Sequence, residues 1–233
     1  MVLHMNFTAS STEELKREIF NLSIIVPPRG KLRTTEQCEQ WQIHHYLLAL
    51  IELNKLKTPF KLEKRERPDF EVVNGTITIG IEATEIINPD YARAITLPEA
   101  KLDGLVIDPS HFKWGNSGRS LDELRNIVTR DKLTGTPWCG QSVEVEFTKS
   151  VIDTVNAKHS KLTNGFKRYE SNVLLAYHNN STPILDFDMA TNLTRTALSD
   201  YWKTNGFDTV VIHKYKTLMF FTKSSAFSVQ VQS

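Results

Sequence analysis

The chain has 233 residues, 40 % of them hydrophobic and 24 % charged, which is enough apolar side chain for a folded core and argues against a disordered chain. Lys and Arg (28) nearly balance Asp and Glu (27), so any site for a polyanion has to be a local patch rather than the field of the whole molecule. Cys38 and Cys139 form no CxxC pair, which argues against a disulfide framework or a thiolate zinc site and fits reduced thiols in a cytosol. The first residues show no basic start followed by an apolar run, and no stretch approaches the roughly 18 apolar residues of a membrane span. The expectation is a cytoplasmic protein with no membrane partner.

In chain order, Ser10-Ser11-Thr12 ahead of Glu13, Glu14, Leu15 and Ile19 predicts a short capped helix, followed by the breaker Pro27-Pro28-Arg29-Gly30. A longer helix is expected from about Thr35 to Leu56, with Ile43, Leu47, Leu50 and Asn54 continuing a stripe that starts near Glu36 and Glu39. The charged run Lys61 to Arg67 leads into Pro68-Asp69-Phe70-Glu71-Val72-Val73, then Asn74-Gly75, then Thr76 to Thr84. Asn-Gly between two alternating runs predicts a hairpin. Residues 88–142 hold many prolines and glycines and one expected helix, Leu121 to about Lys132. They read as an insertion in a single domain spanning 1–233, with too few apolar residues for a core of their own. Beyond it the pattern predicts a strand at Val143 to Phe147, a helix from about Ser150 to Tyr169 and a strand at Val173 to Tyr177. A helix from about Asp188 to Thr204 and strands at Thr209 to His213 and Leu218 to Thr222 complete the order. The fold class this implies is α/β, a mixed central sheet flanked by helices.

A two-residue Asn74-Gly75 loop sets Val73 opposite Thr76 and, continuing, Asp69 opposite Gly80. Phe70, Val72, Ile77, Ile79, Ile81 and Ala83 then share an apolar face, and Asp69, Glu71, Thr78, Gly80, Glu82 and Thr84 the other. Asp69 and Glu82 become diagonal neighbours, and the missing side chain of Gly80 leaves room between them for a cation. Mg²⁺ favours such a site, a few carboxylates completed by water and phosphate oxygens, so the chemistry suggested is phosphodiester hydrolysis.

Pro68-Asp69, twelve intervening residues, then Glu82-Ala83-Thr84 resembles the PD-(D/E)xK nuclease superfamily, the restriction-endonuclease-like fold, over roughly Thr35 to Tyr177. The resemblance implies that Asp69 and Glu82 hold Mg²⁺ or Mn²⁺, with the Ala83 carbonyl as a further ligand and Glu39 of the first long helix as a third acidic ligand. It implies a metal-dependent nuclease acting on DNA in a restriction, repair or phage-defence setting. Thr84 departs from the pattern by standing where the motif has lysine, and threonine cannot supply a cation. The run Lys158-His159-Ser160-Lys161-Leu162, followed by Tyr169 and an apolar strand, resembles that of members carrying Glu-x-Thr, and it points to a displaced lysine, Lys161 ahead of Lys158. Glu85 is expected on the opposite face by alternation.

Other residues point elsewhere. His44-His45 lack zinc-ligand spacing, Asp186 or Asp188 is expected to cap a helix, and Cys139 lacks a basic partner. There is no phosphate-binding GxxxxGK[ST] loop. Arg29, Lys31 and Arg33, with Lys113, Arg119, Arg125 and Arg130 of the insertion, are candidates for phosphate contacts. Two rivals share the acidic pair: a nuclease-like fold without catalysis, serving as a nucleic-acid-binding or protein-interaction module, and a two-carboxylate glycosidase. A second copy of the chain is a further candidate partner, because many enzymes that cut both strands act as dimers.

Overall fold

The computed structural model describes residues 5–102, 107–130, 134–163, 165 and 167–231. Its strands, in chain order, are β1 (Phe7–Ala9), β2 (Phe60–Lys64), β3 (Phe70–Asn74), β4 (Ile77–Ile86), β5 (Ser171–His178), β6 (Thr209–Lys214), β7 (Thr217–Thr222) and β8 (Ala226–Gln230). Its α-helices are α1 (Thr12–Phe20), α2 (Thr35–Glu52), α3 (Pro89–Ala94), α4 (Leu121–Arg130), α5 (Ser142–Thr163) and α6 (Phe187–Ala197). The strands form one sheet in which each lies beside its neighbour in sequence. β4, β5 and β6 run parallel, and the flanking pairs are antiparallel. The chain is thus α/β with a mixed sheet.

Alternation along the central strands divides the core between the two faces of the sheet. Phe70, Val72, Ile81, Ala83, Val173, Leu175 and Val211 pack with Leu15 and Ile19 of α1 and Ile43 and Leu47 of α2. Leu174, Ala176, Val210, Ile212 and Met219 pack on the other face with Phe147, Val151 and Val155 of α5 and Ala190 of α6. Helix α2 starts at a capping box in which the Thr34 hydroxyl accepts the Gln37 N–H and the Gln37 amide accepts the Thr34 N–H.

The hairpin forms with the expected faces but a different register. Asn74 pairs with Ile77, Val72 with Ile79 and Phe70 with Ile81, so Gly75-Thr76 is the loop and the ladder is displaced by two residues. Gly75 carries the positive φ of +69° that such a turn requires. A two-residue displacement keeps every side chain on its face, and the ladder continued one pair past Phe70–Ile81 sets Asp69 across from Glu82 rather than diagonal to it.

The expected strand at Val143 to Phe147 is the first turn and a half of α5. Val-Glu-Val-Glu-Phe alternates, but Val143, Phe147, Val151 and Val155 also repeat every four residues, and this helical stripe is the one buried while Val145 is 55 % exposed. That helix stops at Thr163 instead of Tyr169. Helix α2 stops at Glu52 instead of Leu56, because Asn54 takes the left-handed conformation (φ +52°) common just past a helix end. Helix α6 stops at Ala197, and a short 3-10 turn at Tyr201–Lys203 replaces its expected last part. Asp186 is its N-cap, accepting the Met189 N–H at 3.0 Å. The expected end of α4 at Lys132 lies outside the described residues. The edge strands β1 and β8 went unpredicted, as did β2, whose lysines and glutamate hide the buried pair Phe60 and Leu62.

Residues 88–142 do have a small apolar cluster, in which Ala94, Leu97, Phe112, Leu124 and Val128 are buried together. Trp114 and Trp138 fasten this segment to α5 by donating indole N–H bonds to Asp153 (2.8 Å) and Glu146 (2.6 Å). Arg119 reaches Asp90 and the His111 carbonyl, Arg125 reaches Glu99, and Lys113 reaches the Pro137 carbonyl, so these candidate phosphate contacts serve internal bonds.

Truncating Phe147 to Ala is expected to cost about 3–5 kcal/mol in urea unfolding, and Val145 to Ala within about 0.5 kcal/mol of zero. Equal losses at both positions would favour the strand.

Candidate metal and nucleic-acid site

A cleft of 330 Å³ opens where the first half of α2 passes the ends of β3 and β4. Glu39, Gln42, Asp69, Glu82, Ala83, Thr84 and Lys158 line one part of it, and Arg29, Arg33, Thr34 and Glu85 the other. The sheet register brings Asp69 and Glu82 together. Asp69 Oδ2 accepts the Ala83 N–H at 2.7 Å, a bond that ties the start of β3 to the middle of β4.

Two lysines approach these acids from opposite faces of the sheet. Lys158 of α5 donates to Glu82 Oε1 at 2.7 Å, and both side chains are largely buried. Lys158 falls on the inward stripe Val151, Val155, Lys158, Leu162, whereas Lys161 is exposed and acts on Glu82 only as a more distant charge. The structure therefore brings Lys158, not Lys161, to the acidic pair, the reverse of the expected order. Lys64 ends β2 on the same side as Phe60 and Leu62, facing α2, and sits 2.9 Å from Glu39 Oε2 and 3.7 Å from Asp69 Oδ1. Sequence reading passed over Lys64 as one of a charged run; its parity with Phe60 and Leu62 is the signal that places it inward.

Burial raises the Glu82 carboxyl above its usual range, and the Asp69 charge raises it further against the pull of Lys158. Glu39 is raised too, first by burial and then by Asp69, with Lys64 opposing. The site is thus acidic groups held at some electrostatic cost, with two ammonium groups offsetting part of it. Thr84 lines the cleft, and no hydrogen bond to its hydroxyl is present among the described residues.

Gly80 does not leave a vacancy for a cation. A Cβ there would come within 2.5 Å of Tyr169 Cδ2, so the tyrosine ring occupies that space while its hydroxyl donates to Glu71 Oε2 at 2.8 Å. Glu85, set aside by alternation, also reaches the cleft: it sits on the α2 side of β4, where Arg29, Arg33 (3.0 Å) and the Asn179 amide (2.6 Å) donate to it. His44 and His45 bond to the Ile19 and Trp41 carbonyls, away from these acids.

The carboxylates of Asp69 and Glu82 and the carbonyl of Ala83, the residue after Glu82, are hard oxygen donors of the kind Mg²⁺ and Mn²⁺ take. Among the described residues no group of three or more His, Cys, Asp or Glu converges as a metal cage. The donor set fits an ion that keeps much of its shell as water or substrate oxygen, and Glu39 lines the same cleft, paired with Lys64.

Replacing Lys158 by Met is expected to raise the Glu82 carboxyl further, because a nearby cation favours the carboxylate, and Lys161→Met to raise it less. Carbon-13 NMR titration of the glutamate carboxyls reads both; a larger shift in Lys161→Met would reverse the assignment.

No helix among the described residues is long and apolar enough to cross a membrane. No family model, curated protein or solved structure matches the chain.

Proposed function

We propose that the chain is a divalent-metal-dependent nuclease with a restriction-endonuclease-like core, hydrolysing phosphodiester bonds in DNA. The observation that carries this reading is the Lys158 ammonium on Glu82 beside Asp69. It supplies a cation that Thr84 cannot, from another element, on the buried stripe of α5.

Asp69 and Glu82 would hold Mg²⁺ or Mn²⁺, with the Ala83 carbonyl as a further ligand. Such an ion polarises a phosphoryl oxygen and lowers the pKa of a water bound to it, so that more hydroxide is present at neutral pH. The chain's own part is positioning. The Ala83 N–H fixes the Asp69 carboxylate, Lys64 fixes Glu39 and screens Asp69, and Lys158 orients Glu82 and would add positive charge beside a phosphate bound at the pair. Lys158 is therefore the candidate for stabilising the added negative charge of the transition state, with Lys161 a more distant contributor and Thr84 a neutral wall of the cleft.

One observation favours a second reading, in which the fold binds nucleic acid or a protein without cutting. Among the described residues the acids do not form a three-ligand cage, and Lys158 already neutralises part of the pair. The experiment that separates the two is cleavage of supercoiled, linear and single-stranded DNA, and of RNA, with Mg²⁺, with Mn²⁺ and with EDTA. The nuclease reading predicts metal-dependent cutting that Asp69→Asn and Glu82→Gln abolish. Lys158→Met should slow the reaction by about 100-fold or more, the usual cost of removing one group aimed at transition-state charge. Cleavage that persists in both carboxylate variants, or none by the wild type, would overturn it.

The raised Glu82 carboxyl gives the pH dependence its sign. The ion needs the carboxylate, so protons compete for it, and Mn²⁺ affinity by electron paramagnetic resonance should fall as pH drops through a range above that of an ordinary glutamate. An affinity that holds constant down to the usual carboxylate range would contradict the site.

A further inference from the structure

We infer that the cleft continues into a subsite for one unstacked nucleotide, its phosphate held by Arg29 and Arg33 and its base placed in the neighbouring pocket walled by Val26, Pro27, Pro28, Trp41 and Tyr177. This rests on the nuclease reading and deepens it, because it selects a single strand, or a base turned out of a duplex, over an intact helix.

The charges at this end are unbalanced. Two guanidinium groups converge on one carboxylate, Glu85, which Asn179 also engages. Arg29 Nε is buried and has no hydrogen-bond partner among the described residues. Gln42, one turn past Glu39 on α2, is 2 % exposed and lines the same cleft, and its Oε1 has no donor among the described residues. Buried polar atoms are ordinarily satisfied, so orphans gathered at one opening mark where a polar ligand would sit. An arginine pair in a forked arrangement suits phosphate, and Thr34 and Thr35 at the start of α2 add the positive end of an 18-residue helix.

The second pocket supplies the base site. It shares Arg33 and Cys38 with the first, so a group leaving the arginines passes directly into it. Its volume is also 330 Å³, and apart from Arg33 and Cys38 its walls are apolar or aromatic. Trp41 and Tyr177 meet there edge to face, with ring centres 4.8 Å apart, and no hydrogen bond to the Tyr177 hydroxyl is present among the described residues. Aromatic walls beside a cation accept any base by its apolar face, and a base can reach them only once it is unstacked. The Glu85 carboxylate sits between the two arginines as an internal stand-in for the anion.

The test is equilibrium binding of a short fluorescein-labelled oligodeoxynucleotide, single-stranded and as a duplex, in EDTA over a range of salt, so that neither metal nor cleavage enters. The single strand should bind more tightly than the duplex. Arg29→Ala with Arg33→Ala should weaken binding and lower the slope of log affinity against log salt by about 0.7, one phosphate contact on a single strand. Tyr177→Ala should weaken the single strand by about fivefold or more with the slope unchanged, the signature of a base contact. Glu85→Gln, which keeps an acceptor for Asn179 and removes the competing charge, should tighten binding. If the arginines only hold Glu85 in place, Glu85→Gln leaves affinity equal or lower. Thermal unfolding of each variant shows whether a loss comes from misfolding, and Glu85→Gln stays informative if the arginine pair proves essential to the fold. Equal affinity for strand and duplex, or an unchanged salt slope in the arginine variants, would overturn the subsite even if the wild type cleaves DNA. The expected pattern in a protein that never cleaves would uphold the subsite and remove the nuclease reading alone.

Discussion

Asp69 and Glu82 cannot share one end of a hairpin, out of bulk water, unless positive charge is delivered to them, and much of the chain's architecture serves that delivery. Neither strand of the hairpin carries a cation on its inward side. One comes from β2, the next strand outward, as Lys64, and one from α5, across the sheet, as Lys158. Both depend on long-range packing: β2 must pair with β3 in the observed register, and α5 must present Val151, Val155 and Leu162 to the sheet so that Lys158 falls between them. The raised Glu39 and Glu82 carboxyls show that the two lysines offset the burial and the mutual repulsion only in part. In the proposed function a bound cation would offset more of that charge.

The surroundings of the pair divide by the two faces of the sheet. On the α2 side lie Glu39, Gln42 and the helix start, and beyond them the arginine loop. On the α5 side lies the lysine that touches an acid directly. Tyr169 closes the hairpin at Gly80, donates to Glu71, and keeps the polar face of β3 and β4 from lying open to water. The parallel strands β4, β5 and β6 give this arrangement a stiff floor, since they are buried on both faces.

Much of this was legible in the sequence because the side-chain period of a strand is two. The hairpin register was displaced by two residues, with Gly75-Thr76 rather than Asn74-Gly75 as the loop, yet an even displacement preserves the faces and Asp69 still met Glu82. Where two periods fit the same letters, the reading failed: Val143 to Phe147 alternates like a strand and repeats like a helix, and only burial against β5 and β6 decides. That error moved the start of α5 and concealed the stripe that distinguishes Lys158 from Lys161. The partners of Lys64 and of the arginine loop were beyond local pattern for another reason. A charge becomes part of a site through what lies across from it, and Glu39, Glu85 and Asn179 are distant in sequence. Gly80 was misread because a missing side chain looks like empty space until the ring that fills it, that of Tyr169, is placed.

The most direct measurement of the central claim is a crystal soaked in Mn²⁺ and examined by anomalous diffraction. The account predicts a peak between Asp69 and Glu82, within bonding distance of both carboxylates, with Lys158 still beside Glu82. A fully exchanged crystal with no peak at that position, and both carboxylates bonded only to lysine and backbone, would contradict it.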